Sequence, residues 1–370
     1  MNYNDAMVEV DVVNLLHDGR IGLAPMEGVI DAATRDLLTR TAGIDWTVTE
    51  FVRVVDARLP PRVFLRHCPE LAAGPPCTPS GAPVHLQLLG SDPAALAANA
   101  RQALALGATS LDLNFGCPAK LVNRHDGGAS MLRTPWRLRT AVSAVHDAVG
   151  DAIPVTAKIR LGFADRRLAL DCARATEDGG ASQLVVHART RNEGYRPPAH
   201  WEWIGRIRHR LSIPVIANGD IWTLEDYWKA RTLSGCRDVM LGRGALADPG
   251  LAPRIRHWQG TGEHLPPTPW SDKASLLLEY AAMQRSILSQ KAVVARLKQW
   301  MNHMRGRDPE AARCFQALRR ITDLDDFLAG LRASATSEEP DPIGQASMAT
   351  RHEPMARASH GSDSEEALHA

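Results

Sequence analysis

A cysteine stands between a glycine and a proline in Gly116-Cys117-Pro118, directly after the alternating run Leu111-Asp112-Leu113-Asn114-Phe115. A core thiol needs no such setting, because a buried cysteine behaves as a small hydrophobe and packs wherever it fits. A thiol with a pKa of about 8.5 is mostly protonated at neutral pH, so Cys117 at a site is a candidate general acid. Pro118 restrains the backbone behind it, and Gly127 and Gly128 free the loop that follows. A second group is Thr156-Ala157-Lys158-Ile159-Arg160, where Lys158 alternates with apolar neighbours. A lysine aimed into an interior is costly without an anionic partner. The edge of a reduced flavin, which turns negative on two-electron reduction, is one partner; Schiff-base chemistry is the other role open to it. Gln87 and Asn114 carry amides that donate and accept, which suits the edge of a uracil-like or isoalloxazine-like ring. His187 can orient the ring or a phosphate. Asn218-Gly219-Asp220 and Gly242-Arg243-Gly244 let backbone N–H groups approach phosphate oxygens, and Arg243 adds a charged donor. Taken singly, each is as ordinary as a satisfied structural polar residue.

These groups need elements that bring them to one place. Strand-like runs recur at 21–26, 45–50, 84–90, 110–116, 154–162, 183–190, 214–220 and 238–244, most of them rich in Val, Ile and Leu as expected of parallel strands buried on both faces. Helical segments fit between most of them. Asp92-Pro93 and Thr134-Pro135 read as helix starts, and Thr223 with Asp226 reads as a cap with an acidic first turn. Eight strands alternating with helices predict an α/β (β/α)8 TIM barrel, in which functional residues stand at the C-terminal ends of the strands. A doubly wound sheet would want a glycine-rich turn after the first strand, and Ala24-Pro25-Met26-Glu27-Gly28 is not one. The proline-bearing stretch 53–83 reads as an irregular excursion. The expected organisation is an N-terminal extension at 1–19, the barrel at 20–257, a linker at 258–269, a small all-α helical domain at 270–332 and a disordered tail at 333–370. In the helical part, Val293, Leu297, Trp300, Met301 and Met304 follow helical spacing and form a packing stripe.

Composition excludes several classes. A net charge of +1 is not that of a globally basic nucleic-acid binder. Between Arg285 and Arg320, however, there are nine basic residues against only Asp308 and Glu310, a candidate phosphate-facing segment or a solvated helix face. The strand ends carry few carboxylates, so paired-carboxylate hydrolysis has little support, and no metal site is expected. Six cysteines without a C-x-x-C pair argue against zinc and against a disulfide framework. No run reaches the ~18 apolar residues of a membrane span. The acidic N-terminal stretch does not read as a secretory signal, and a cytoplasmic monomer is expected.

The blocks Ala24-Pro25-Met26-Glu27-Gly28, Leu86-Gln87-Leu88-Leu89-Gly90, Asp112-Leu113-Asn114-Phe115-Gly116-Cys117-Pro118, Lys158-Ile159-Arg160, Val186-His187-Ala188-Arg189-Thr190, Ile216-Ala217-Asn218-Gly219 and Gly242-Arg243-Gly244 resemble the tRNA-dihydrouridine synthases over about residues 20–330. Thr49-Glu50-Phe51-Val52-Arg53 and Ala295-Arg296-Leu297-Lys298-Gln299-Trp300 resemble the bacterial C-type subgroup, which acts on uridine 16 of tRNA. The resemblance implies FMN in the barrel mouth and NADPH or NADH as reductant. Pro25 and Met26 would line the ring, with Glu27 among the cofactor residues. Gln87, Lys158 and His187 would contact the isoalloxazine. Asn218, Gly219, Asp220, Gly242 and Arg243 would hold the ribityl phosphate. A hydride would pass to C6 of a flipped-out uracil and a proton from Cys117 to C5. Arg53, Asn114, Tyr195, Arg296, Lys298, His303 and Arg319 would meet tRNA. The competing readings are another D-loop uridine, a flavin oxidoreductase acting on a small molecule, and a tRNA-binding factor whose catalysis is incidental.

Overall fold

The computed structural model describes residues 18–124 and 126–336. Nine strands follow one another as β1 (Ile21–Leu23), β2 (Trp46–Val48), β3 (Val52–Arg53), β4 (Val84–Leu89), β5 (Leu111–Phe115), β6 (Val155–Arg160), β7 (Gln183–His187), β8 (Val215–Asn218) and β9 (Val239–Leu241). All pairings between these strands are parallel. β1 lies between β2 and β9, with Gly22 opposite both Trp46 and Met240, and Thr47 of β2 lies opposite Val84 of β4. These pairings close eight strands into the expected barrel. β3 is outside the eight: it adds Val52 and Arg53 beside Leu88 and Leu89, at the C-terminal end of β4.

The helices are α1 (Ala32–Arg40), α2 (Pro61–His67), α3 (Pro93–Ala105), α4 (Lys120–Arg124), α5 (Pro135–Val149), α6 (Ala169–Asp178), α7 (Trp201–Arg208), α8 (Leu224–Ser234), α9 (Arg243–Ala247), α10 (Leu251–Thr261), α11 (Trp270–Gln284), α12 (Gln290–Met304), α13 (Pro309–Leu318) and α14 (Leu324–Thr336). Their starts follow local chemistry. The Asp92 carboxylate accepts from the Ala95 N–H and Pro93 takes a first-turn position in α3. Thr223 and Asp226 form a reciprocal capping box on α8. Thr134 makes no side-chain cap to α5, so Pro135 alone marks that start.

Two apolar layers hold the barrel. The larger one lies between strands and surrounding helices; a smaller one inside the barrel comprises Ala24, Trp46, Val48, Val185, Ile216 and Met240. Gly22 makes room for the Trp46 indole, because a Cβ there would stand 2.3 Å from its ring. Inner positions of β4, β5 and β6 are polar instead, and this asymmetry prepares the site.

The excursion expected to be irregular holds α2, whose Phe64 is fully buried beside Cys68. Arg35, itself fully buried, clamps this segment through Glu70 (2.7 Å) and the His67 carbonyl (3.1 Å). The stretch expected as linker from residue 258 begins as helix, since α10 runs to Thr261 and stops at Gly262, whose φ is +75°. α11–α14 form the helical part, with the predicted stripe buried. It is bolted to the barrel. Trp300 Nε1 donates to the Leu246 carbonyl (3.0 Å), and the Tyr280 hydroxyl (2.7 Å) and Gln284 Nε2 (3.1 Å) donate to Asp31, the cap of α1. α14 continues to Thr336, into the segment expected as tail, because Ser334 accepts from Trp270 Nε1 (3.1 Å) and is held in the bundle. Residues 1–17, 125 and 337–370, which include most of the expected extension and tail, lie outside the described residues.

Candidate active site

A cavity of about 640 Å³ opens at the C-terminal ends of the barrel strands. It is lined by Cys117, Asn114, Tyr195, His303 and every residue expected around a cofactor except Gln87. α12 supplies one side of it through Gln299 and His303, so the helical part is a wall of the site as well as a neighbour.

Cys117 is placed by the strand that precedes it. Asn114, at the end of β5, turns its Oδ1 onto the N–H groups of Gly116 (3.0 Å) and Cys117 (2.9 Å). The loop then folds back over the cysteine: its carbonyl accepts from the Ala129 N–H (3.1 Å) and from Asn123 Nδ2 (2.9 Å). Gly128 is required there. Its φ is +57°, and a Cβ would meet the Cys117 oxygen at 2.9 Å. Burial pushes the Cys117 thiol up, against the Ala119 backbone N–H, which lowers it; the Glu27 carboxylate adds to the rise, and Arg160 and Arg53 oppose it. The thiol is therefore protonated at neutral pH.

The floor is cationic. Lys158 reaches the cavity with Nζ donating to Asn218 Oδ1 (2.7 Å), and Asn218 Nδ2 donates to the Met240 carbonyl (2.8 Å). Burial, then the neighbouring Arg160, lowers the Lys158 ammonium to about 7. His187 is buried and held neutral, its pKa well below the ordinary value, by burial and by Arg160, Lys158, Arg189 and Arg243 around it. Its Nδ1 is buried without a hydrogen-bond partner. Arg160, at the end of β6, ties the loop after β5 to the loop after β7. Its Nε donates to the Gly116 carbonyl (2.8 Å), its Nη1 to Gly194 (3.0 Å) and Thr190 (3.2 Å), and its guanidinium lies 5.2 Å from the Tyr195 ring centre. Arg243 covers Tyr195 (4.4 Å) and Trp222 (4.9 Å).

These features suit an anionic, ring-bearing ligand. The floor offers Lys158 and Arg243, the neutral His187 is among its lining residues, and Gly219 and Gly242 keep the wall near strands β8 and β9 free of side chains. Residues 22–338 of the sequence match the family model for dihydrouridine synthase (Dus). The chain belongs to the dihydrouridine synthase family. It is 50% identical over 320 residues to the tRNA-dihydrouridine(16) synthase of Pseudomonas syringae pv. tomato, covering 86% of this chain and 100% of that one. Identity is 48% over 313 residues, 84% and 99% of the two chains, to the tRNA-dihydrouridine(16) synthase of Aquipseudomonas alcaligenes. It is 44% over 308 residues, 83% and 92%, to that of Neisseria meningitidis serogroup B.

Several expected site residues stand elsewhere or act otherwise. Gln87 is fully buried beneath the cavity, between Asp112 and Asn114. Asp220, at φ +53°, turns its carboxylate to Arg189 and Arg243 (3.0 Å to each), so the side chain aims cations and offers no donor of its own. Of the residues expected at tRNA, Tyr195 is half exposed, and His303 lines the cavity, held neutral by burial and Arg243. Arg319 is exposed and Arg53 part-exposed, with Nη2 near the Leu121 carbonyl (3.5 Å). Arg296 donates to the Gly28 carbonyl and faces Glu50, whose carboxyl burial pushes up and Arg296 pulls back. Lys298 Nζ donates to the Ile321 carbonyl (2.6 Å) and stands 5.8 Å from the Phe327 ring centre. These two cations therefore brace the helical part. Sequence reasoning missed Asp112 and Trp222 altogether. The signal for Asp112 was present: an acid in a fully buried strand, two residues before Asn114 and so on the same inward face.

Proposed function

We propose that this dihydrouridine synthase reduces the C5–C6 bond of uridine 16 in the D-loop of tRNA, with FMN as its bound cofactor and NADPH as the reductant. The observation that carries this is the meeting of a protonated thiol, Cys117, with the cationic floor of Lys158 and Arg243 in one cavity. FMN bound there supplies the hydride that C6 of the uracil takes up. Cys117 holds the proton for C5. Desolvation keeps it on sulfur at neutral pH, and the Asn114 turn points the thiol inward. Pro25, Met26 and Met240 make the apolar wall that keeps water from the ring. Lys158 and the neutral His187 hold the ring's polar edge, and Arg243, steadied by Asp220, holds the phosphate beside Gly219 and Gly242.

The relatives' name supports position 16. A loop nucleotide leaves its stack more cheaply than a paired one, which is what a cavity this deep in the barrel mouth requires of its base. Tyr195, half exposed and steadied by Arg160 and Arg243, offers a face for RNA, His303 lines the cavity that the base enters, and Arg53 and Arg319 set the RNA's orientation from either side. Purified protein with FMN and NADPH, given tRNA that lacks dihydrouridine, should place the modification at uridine 16 alone. Product at another uridine would keep the chemistry and move the position. No product from a protein with bound, reducible flavin would remove the assignment in favour of a small-molecule substrate.

A further inference from the structure

Below Cys117 runs a buried chain of hydrogen bonds whose direction is fixed from its top. At the top, two backbone N–H groups can only donate, so the Asn114 atom facing them must be the oxygen. Asn114 Nδ2 must then face away, and it donates to Gln87 Oε1 (2.8 Å). That turns Gln87 Nε2 downward onto Asp112 Oδ2 (2.7 Å). Asp112 Oδ1 accepts from the Thr156 hydroxyl (2.6 Å). The parallel register makes the chain possible, since Gln87 lies opposite Asp112 and Asp112 opposite Thr156. All four side chains are buried, and Asp112 is 2% exposed.

We infer that Asp112 is a positioning residue for Cys117: through Gln87 and Asn114 it fixes the turn that presents the thiol to the cavity. An acceptor at the bottom forces both amides into one orientation, and that orientation is the only one that satisfies the Cys117 turn. With an apolar side chain at 112, Gln87 Nε2 loses its acceptor and either amide can reverse. A reversed Asn114 sets a donor against two donors and releases the turn. The inference rests on the proposed role of Cys117 for its meaning in catalysis, and on the geometry alone for the rest.

The test reads the thiol directly, by iodoacetamide alkylation of the flavin-loaded protein in a Cys77→Ser background, since Cys77 is the exposed thiol and Cys68, Cys172, Cys236 and Cys314 are buried. Asp112→Leu and Gln87→Met should each be alkylated about three- to tenfold faster than the parent, because a loosened turn exposes the thiol and relaxes its burial. The double variant should be no faster than the quicker single one, as expected of residues acting in series. Asp112→Asn should keep the parental rate: its oxygen can serve Gln87 while its amide donates to the Thr156 hydroxyl. In tRNA reduction, Asp112→Leu should lose kcat with KM for tRNA held. Parental alkylation in Gln87→Met, multiplied rates in the double variant, or an Asp112→Asn as fast as Asp112→Leu would each overturn the inference. If Asp112→Leu does not fold, Gln87→Met and Asp112→Asn decide it by the same criteria. A parent that alkylates as described yet forms no dihydrouridine would keep this inference and remove the proposed reaction.

Discussion

Cys117 and Lys158 are both displaced from their ordinary pKa values by burial, with opposite consequences for charge. For the thiol, the displacement is upward, so its proton-bearing form extends to higher pH than that of a free cysteine. Dihydrouridine formation should therefore hold through the range around pH ~8.5 in which an ordinary thiol ionises, and fall only above it. Single-turnover oxidation of the reduced enzyme by tRNA, followed across pH, reads this directly. Cys117→Ala should lose about 10²–10⁴ in that rate, the usual worth of a positioned proton donor, while flavin absorbance stays. For Lys158 the displacement is downward, to about 7. Its ammonium is the form that attracts an anion, so the charge is present below that pH and lost as pH rises through it. FMN affinity of the flavin-free protein, titrated by fluorescence, should weaken across that interval, and Lys158→Met should bind weakly with a flatter profile. A dependence of the same size in Lys158→Met would assign it to another group.

The loop between β5 and α5 is where backbone conformation meets the site. Gly128 at φ +57° lies against both the Cys117 oxygen and Val122 Cγ1, at 2.9 Å each from a built Cβ. Gly81 has φ +89° with nothing within 4 Å. Both alanine variants strain the backbone, by about 1–3 kcal/mol, but only Gly128→Ala must also displace the turn that carries the thiol. Thermal melting should find both destabilised, by about 1–2 °C for each kcal/mol at this size, and only Gly128→Ala should lose tRNA reduction beyond its loss of folded protein. The barrel strands themselves were legible because most are runs rich in Val, Ile and Leu bounded by polar turns. Their ends were not: 154–162 was expected and Val155–Arg160 is paired, because the last residues leave the ladder to form the loops that carry function. β3 and α2 were hidden in proline-bearing sequence, and what orders them is tertiary, the edge of β4 and the buried Arg35. Most cavity residues were legible from type and spacing at strand ends. Gln87 and Asp220 show the limit. Residue type says that an amide or an acid is present; register and partners, Asp112 for one and two arginines for the other, decide where it faces.

Barrel and helical part meet along Asp31, Gly28 and Leu246, and the cavity lies beside that seam with α12 as its wall. An RNA whose base enters the cavity is then met by cations from two directions: Arg53 from the β3 edge of the barrel, and Arg319 from the end of α13. Arg296 and Lys298 are engaged within the protein, so their removal changes docking of the helical part as well as charge and gives a mixed result. Arg53 and Arg319 give a cleaner one. Each phosphate contact adds a salt-dependence slope of about 0.7–0.9 in log affinity against log salt. If the tRNA spans the mouth, Arg53→Ala and Arg319→Ala should each reduce the slope by about that amount, and the double variant should lose the sum, since the two residues share no partner. Binding measured over a salt series by fluorescence anisotropy distinguishes the cases. A slope unchanged by Arg319→Ala but reduced by Arg53→Ala would place the RNA on the barrel alone and leave α12 as a wall without a docking role. The reverse pattern would place the phosphates on the helical part and leave the β3 edge to shape the cavity.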